Sequence, residues 1–288
     1  LPRVRIVTDS GAGFVDPDII AAHEVEVLPL QVRFDDLTLR DGTQLDAEEM
    51  FHRQQHKDAI PEVSAPSMAE FEEVYQRLAA ETNEIVVVTH SKDFTPTFAN
   101  AQSARGRFLG RCEITVLDSM TLSVGQGFLV EGIAEAAASG ATIEDVVRIA
   151  RGIIPRLYSV LYVDTLDYIQ RAGLIAKTQS ILGDMLEIKP LLTIEDGQLM
   201  TMEKVRTHSQ AVDRVMEFVT EFTAIERLCI LQNTSHTTDR TRMLQDRLAL
   251  EFSRTNHPIH LYEPLLAALI GPEGMGISLL EGDTDLNA

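Results

Sequence analysis

The sequence predicts an α/β protein of two domains, an N-terminal three-layer domain on a mostly parallel sheet (1–155) and a C-terminal α+β domain with a mixed sheet (156–288). Three observations predict it. Apolar runs rich in β-branched residues recur at 4–7, 85–88 and 114–117, and each breaks into a polar, hydroxyl-bearing cluster just before a helix: Thr8-Asp9-Ser10, Thr89-His90-Ser91 and Asp118-Ser119. Such runs mark parallel strands buried on both faces, whose ligands gather at the carboxyl ends of the strands. Helical segments alternate with the runs, which implies right-handed crossovers. A hairpin signal centred on Asp196-Gly197 appears past the midpoint, where an antiparallel component enters.

Each element follows from local signals. After the strand at 4–8, Asp16-Pro17 sets an N-cap before a first-turn proline and starts a helix at 17–23. A strand at 25–33 comes next. Asp46 with Glu49, and Ser67 with Glu70, have capping-box spacing and start helices at 46–56 and 68–81. Strands at 85–89 and 114–118 alternate with helices at 97–108 and 124–138. Thr142 and Asp145 start a further helix, punctuated by Gly152 and Pro155. Beyond this break the pattern predicts a strand at 159–163, short helices at 165–172 and 178–185, and a hairpin of 190–194 with 199–202. A long amphipathic helix at 208–223, a strand at 227–232, a helix at 238–249 and a last strand at 258–262 complete it.

Composition narrows the function. With 25 basic against 44 acidic residues the net charge is −19, so a phosphate backbone is repelled and nucleic acid is excluded as an expected partner. Cys112 and Cys229 lie far apart in apolar surroundings, which fits buried thiols and a cytoplasmic protein. The longest apolar stretch, around 261–270, is broken by Glu263-Pro264, so no integral membrane segment is expected, and nothing at the N-terminus resembles a signal peptide.

Several motifs reduce to ordinary structure. Asp9 stands where an aspartyl nucleophile would, but Gly11 occupies the position of the second carboxylate, so Asp9-Ser10 reads as turn and N-cap chemistry, as does Asp118-Ser119. Gly125-Gln126-Gly127 lacks the third glycine of a dinucleotide fingerprint and reads as close helix packing. His52 and His56 are spaced i, i+4, yet Arg53 stands where a zinc protease carries its glutamate, and a solvated helix face is expected. His236 follows a strand before the Asp239 helix start and reads equally as a site residue or a plain loop residue. Arg206 and His208 stand before the long helix, where a basic pair neutralises an acidic ligand or forms a structural salt bridge. Taken together, Ser64-Ala65-Pro66-Ser67 and the segment from Thr89 to Thr97 suit a carboxylate, since neutral hydroxyls and free helix N-terminal amides bind one without burying a counter-charge.

These clusters stand in the order and spacing of a known family, and the chain resembles the DegV family of bacterial fatty-acid-binding proteins over nearly its full length. The resemblance is carried by Ile6-Val7-Thr8-Asp9-Ser10, Ser64-Ala65-Pro66-Ser67, the Ser91 to Thr97 turn, Val116 to Ser119 with Gly125 to Gly127, and Leu166-Asp167-Tyr168 with Ala172-Gly173. It continues through Ile188-Lys189-Pro190-Leu191 and Val205-Arg206-Thr207 to Gly271-Pro272-Glu273-Gly274-Met275-Gly276. It implies a non-enzymatic protein without a cofactor that holds a long-chain fatty acid in a tunnel between two domains. The carboxylate would meet the hydroxyls of Ser64, Ser91 and Thr95. Members that serve a fatty acid kinase present the acid to a separate kinase subunit, and Arg206 matches an arginine associated with that exchange. Three positions depart: Leu174 stands where the family often has Arg, Leu269 where it often has His, and Glu273 replaces the second glycine of a Gly-Pro-Gly motif.

Burial of about fourteen methylenes at roughly 0.8 kcal/mol each gives on the order of 10 kcal/mol gross, so the tail provides affinity and the head-group hydroxyls orientation. The competing reading is a small-molecule kinase or hydrolase acting at the strand-end crevice, with Asp9 and Asp118 as acid-base or metal groups.

Overall fold

The computed structural model describes residues 4–35, 37–54, 61–173, 189–252 and 257–283. In chain order the first half comprises β1 (Arg5–Asp9), α1 (Asp18–Ala22), β2 (Glu26–Leu28), β3 (Gln31–Phe34), β4 (Leu37–Arg40), α2 (Ala47–Gln54) and β5 (Glu62–Ser64). It continues with α3 (Met68–Leu78), β6 (Glu84–Thr89), α4 (Thr97–Ala104), β7 (Glu113–Asp118), α5 (Ser123–Ala138) and α6 (Ile143–Ile153). The second half comprises β8 (Leu157–Tyr162), α7 (Asp167–Arg171), β9 (Lys189–Glu195), β10 (Gln198–Val205), α8 (His208–Thr220) and β11 (Ile225–Gln232). The last described elements are α9 (Asp239–Glu251), β12 (Ile259–Leu261), α10 (Pro264–Ile270) and β13 (Met275–Glu281).

The apolar runs form a wholly parallel sheet in the order β2-β1-β6-β7. Strand side chains alternate between faces, and the core divides accordingly. Val7, Ile85, Val87, Ile114 and Val116 pack with Phe71 and Tyr75 of α3 and Ala101 and Ala104 of α4. Ile6, Val86, Val88 and Leu117 pack on the other face with α5 and α6. This is the expected three-layer arrangement. Its carboxyl ends bring Asp9, Thr89 and Asp118 to one edge.

The second sheet is mixed, in the order β10-β9-β8-β13-β11-β12, with β11 and β12 parallel and the other pairs antiparallel. One face buries Val160, Tyr162, Ile230 and Ile277 against Val212 and Val215 of α8 and Leu244 of α9. The opposite face, with Leu161, Leu192 and Leu231, joins the core of α5. Helix α5 thus packs on β1 and β6 on one side and on β8 and β13 on the other. Having apolar or small residues nearly all round, it is buried along most of its length and reaches solvent near its C-terminal end, at Glu135 and Ala138. Among its polar residues, Glu131 pairs with Arg227 of β11, whose guanidinium lies over the Phe128 ring.

Close approach explains the glycines of α5. A Cβ at Gly127 would fall 1.8 Å from the Gly13 carbonyl oxygen, so the loop after β1 requires glycine there. At Asp196-Gly197 both residues have positive φ, 50° and 81°, the conformation of a type I′ hairpin turn.

The structure corrects the predicted pattern in three places. The strand expected at 25–33 is two, β2 and β3, because Pro29 and Leu30 carry the chain out of the parallel sheet into a separate antiparallel sheet of order β4-β3-β5. Strands β4 and β5 had no sequence signal strong enough to read; both are short and largely exposed. The strand at 258–262 is not the last, since α10 and β13 follow. β13 lies between β8 and β11 in the mixed sheet, and its signals were present: Pro264 at a helix start, Gly271 at its end and the apolar 275–280 run. The helix expected at 178–185 lies outside the described residues, as do Leu174 and His56.

Candidate functional site

The turn after β6 places Phe94 and Thr95 on the wall of a cavity of about 320 Å³. Pro61, Glu62 and Val63 at β5 line a second side, Tyr168 and Ala172 of the α7 region a third, and Leu265, Ala268 and Leu269 of α10 a fourth. The lining mixes apolar side chains with the polar groups of Glu62, Thr95 and Tyr168, and its residues come from both halves of the chain. The volume sits at the small end of ligand pockets, which run from about 300 to 1,000 Å³.

Behind Thr95 lies a buried hydrogen-bond chain. Asp9, at the end of β1, accepts from the Gly11 N–H at 2.9 Å and the His90 N–H at 3.0 Å. Its Oδ1 also lies 2.8 Å from His90 Nδ1. On the other side of the ring, His90 Nε2 lies 2.7 Å from Thr95 Oγ1, and that oxygen lies 2.7 Å from Thr97 Oγ1. Asp9, His90 and Thr97 are wholly buried. Two backbone N–H groups and the His90 ring converge on the Asp9 carboxylate, which compensates its burial. Asp9 is thus more than turn chemistry: it fixes the position of His90, which in turn faces the cavity hydroxyl.

A second buried carboxylate lies next to this corner. Asp41 accepts from Ser10 Oγ at 2.7 Å, while the Leu30 N–H donates to the same Ser10 oxygen at 2.9 Å. Burial pushes the Asp41 carboxyl up from 3.8 to about 7, opposed by the Ser10 hydrogen bond and reinforced by the charges of Glu263 and Asp9. Glu263 Oε1 lies 2.6 Å from His260 Nε2, and Glu263 raises the His260 pKa against the opposing effect of burial, the largest influence on that ring.

The hydroxyls expected at the carboxylate are not equivalent in the fold. Thr95 lies on the cavity wall. Ser91 is fully buried and donates to the Gly197 carbonyl at 2.6 Å, pinning the β6 turn to the β9–β10 hairpin. Ser64 ends β5, exposed, with its hydroxyl 3.5 Å from the Gln31 carbonyl; its neighbours Glu62 and Val63, not Ser64, line the cavity. Arg206 is exposed and lines a different groove, of about 680 Å³, with Lys204, Arg214, Glu217 and Arg247.

The departures from the family pattern also find places. Leu269 forms part of the cavity wall, so that side is apolar, and the histidine that serves the cavity is His90, behind Thr95. Glu273 pairs with Arg240 at 3.4 Å. Sequence reading quoted His90 within its cluster but gave it no role. The available signal was its position at a strand end between two hydroxyl residues; its pairing with Asp9, 81 residues away, was not legible.

The aspartates of the enzyme reading are committed to structure. Asp9 is held by two backbone N–H groups and the His90 ring, and Asp118 Oδ1 accepts from the Met120 N–H at 2.9 Å. Among the described residues there is no cluster of three His, Cys, Asp or Glu side chains able to hold a metal, and no helix long and apolar enough to cross a membrane.

Comparison with known proteins agrees with this architecture. The solved structure described as showing fatty acid binding of a DegV family protein from Thermus thermophilus matches with a TM-score of 0.87 at 24% identity, covering 97% of this chain and 100% of that one. DegV of Bacillus subtilis, described as a fatty acid binding protein, matches with a TM-score of 0.85 at 21% identity, covering 98% and 100%. In sequence, a DegV domain-containing protein of Caldanaerobacter subterraneus subsp. tengcongensis is 32% identical over 219 residues, 76% of this chain and 77% of that protein. The family model described as "Uncharacterised protein, DegV family" matches residues 3–282. With that match spanning both sheets and the cavity between their connections, the chain belongs to the DegV family.

Proposed function

We propose that this protein binds one long-chain fatty acid without transforming it, the carboxylate at Thr95 and the acyl chain running into the space bounded by Val63, Phe94, Leu265 and Leu269. The observation that carries this reading is the cavity itself: apolar side chains from both halves of the chain with the polar groups Thr95, Tyr168 and Glu62 among them, in a chain whose structural neighbours are described as fatty acid binding proteins. The tail supplies the free energy of binding by leaving water, and the polar end fixes its direction.

Dividing the chain at 155/156 puts the parallel sheet and the small antiparallel sheet in one domain and the mixed sheet in the other, with the acid between them. In this reading Ser91 shapes the turn that presents Thr95, and Ser64 stands at the β5 edge beside the cavity. Arg206, on its separate charged groove, suits contact with a partner rather than with the acid, and a cytoplasmic fatty acid kinase subunit is the partner class proposed. The buried thiols Cys112 and Cys229 fit such a compartment.

Native mass spectrometry of freshly purified protein, with lipid extraction of the same sample, tests the binding. A bound acyl mass, and a higher melting temperature on adding palmitate, are the expected results. Protein that carries no acyl ligand and is not stabilised by palmitate would overturn it.

A further inference from the structure

The hydrogen-bond chain behind the cavity allows only certain proton placements. Two backbone N–H groups, of Gly11 and His90, already hold Asp9 as an acceptor, so the hydrogen of a neutral His90 ring is assigned to the Nδ1 that faces this carboxylate at 2.8 Å. The other ring nitrogen, Nε2, 2.7 Å from Thr95 Oγ1, is then bare if the ring is neutral and protonated if it is an imidazolium. Thr95 has one hydroxyl hydrogen. A bare Nε2 takes it, and the Thr97 N–H, 3.3 Å away, already occupies one lone-pair site on the same oxygen. A carboxylate arriving at Thr95 then meets lone pairs. Once Nε2 carries its own proton it donates to Thr95 Oγ1, and the Thr95 hydrogen is freed either for Thr97 Oγ1, 2.7 Å away, or for an arriving carboxylate, the stronger acceptor of the two.

We propose that this chain binds the carboxylate of its ligand together with one proton, taken from solvent onto His90 Nε2, so that the ligand accepts from Thr95 only when His90 is an imidazolium. This rests on the fatty-acid reading above. The balance is simple: carboxylate, neutral His90 and a solvent proton become a carboxylate hydrogen-bonded through Thr95 to an imidazolium whose counter-charge is Asp9. The net charge of the buried corner is unchanged on binding, which avoids the cost of adding an unpaired anion to an apolar site. Release of the acid returns the proton.

The other titratable or charged groups around this corner are Asp41 after β4, Glu62 and Tyr168 on the cavity wall, Glu263 with His260 ahead of α10, and Lys92, Asp93 and Asp118 at the ends of β6 and β7. Direct contact with the ring comes from Asp9. Asp41 titrates in the same range as an ordinary histidine, so Asp41→Asn serves as the control for its contribution.

Calorimetric titration of the full chain with palmitate, in phosphate and in Tris across about pH 5 to 9, counts the protons taken up, because the two buffers differ in ionisation heat. The expected result is uptake approaching one proton per palmitate, with affinity falling toward tenfold per pH unit on the alkaline side. Asp41→Asn should retain both, and hexadecanol should bind with neither. In His90→Gln, whose amide donates to Thr95 at any pH, palmitate binding should lose its proton uptake. Palmitate binding without proton uptake in the wild-type chain overturns the inference alone, as does uptake that persists in His90→Gln. No palmitate binding at any pH overturns the fatty-acid reading, and this inference with it.

Discussion

The Ser91 hydroxyl donates to the Gly197 carbonyl oxygen at 2.6 Å, joining the carboxyl end of a parallel strand to a hairpin turn 106 residues away. Both residues are buried, so the bond has no water to replace it. Ser91→Ala leaves the carbonyl without this donor and should cost about 1–3 kcal/mol. A urea titration should show a lower midpoint at unchanged slope; an unchanged midpoint would contradict the role given to Ser91.

Two glycine-to-alanine changes should act in opposite directions. Gly127→Ala drives a Cβ into the Gly13 carbonyl, backbone against backbone, and should destabilise by at least about 1–3 kcal/mol. Gly152, at an exposed position of α6, has nothing within 4 Å of its added Cβ, so Gly152→Ala should stabilise by up to about 0.5–1 kcal/mol through helix propensity. Thermal melts of the two variants beside the wild type decide both signs.

Asp41 gives the stability a pH dependence. Its carboxyl rises from 3.8 in the ordinary state to about 7 when folded, so the folded protein binds more protons than the unfolded chain between those values. Stability from this group is therefore full below about pH 4 and declines as pH rises toward 7, by roughly 4 kcal/mol at most. Asp41→Asn, which can still accept from Ser10, should remove that decline and be the more stable protein at pH 8. Denaturant midpoints of both proteins across this range provide the measurement.

Ala268 lines the cavity from α10. Ala268→Phe places a ring in the space proposed for the acyl chain and should weaken palmitate binding at least tenfold. Because the ring enters space already open, the change in stability should stay within about 1–3 kcal/mol. Full palmitate affinity in a folded Ala268→Phe protein would move the acyl chain elsewhere.

Elements whose signals are local were legible before the fold was known. The buried runs at β1, β6 and β7, the Ser67 capping box and the Asp196-Gly197 turn are all present as written in the sequence. The misreadings share a different cause. β3, β4 and β5 are short, and their pairing decides their state more than propensity does. The expectation for Ser91 rested on local signals too, and its hydrogen bond to the Gly197 carbonyl, 106 residues away, was not legible in them.

The sequence by itself determined the alternation of strand and helix, the parallel first sheet, the mixed second sheet and the family, because periodicity, capping and motif order are properties of neighbouring residues. Tertiary structure decided which polar groups meet. It brought Asp9 to His90 across 81 residues and joined His90 to Thr95 at the wall of a cavity lined from both halves. It also committed Ser91 to Gly197. The reason is physical: a hydroxyl's role depends on which acceptor takes its one hydrogen, and the packing of elements far apart in the chain chooses that acceptor.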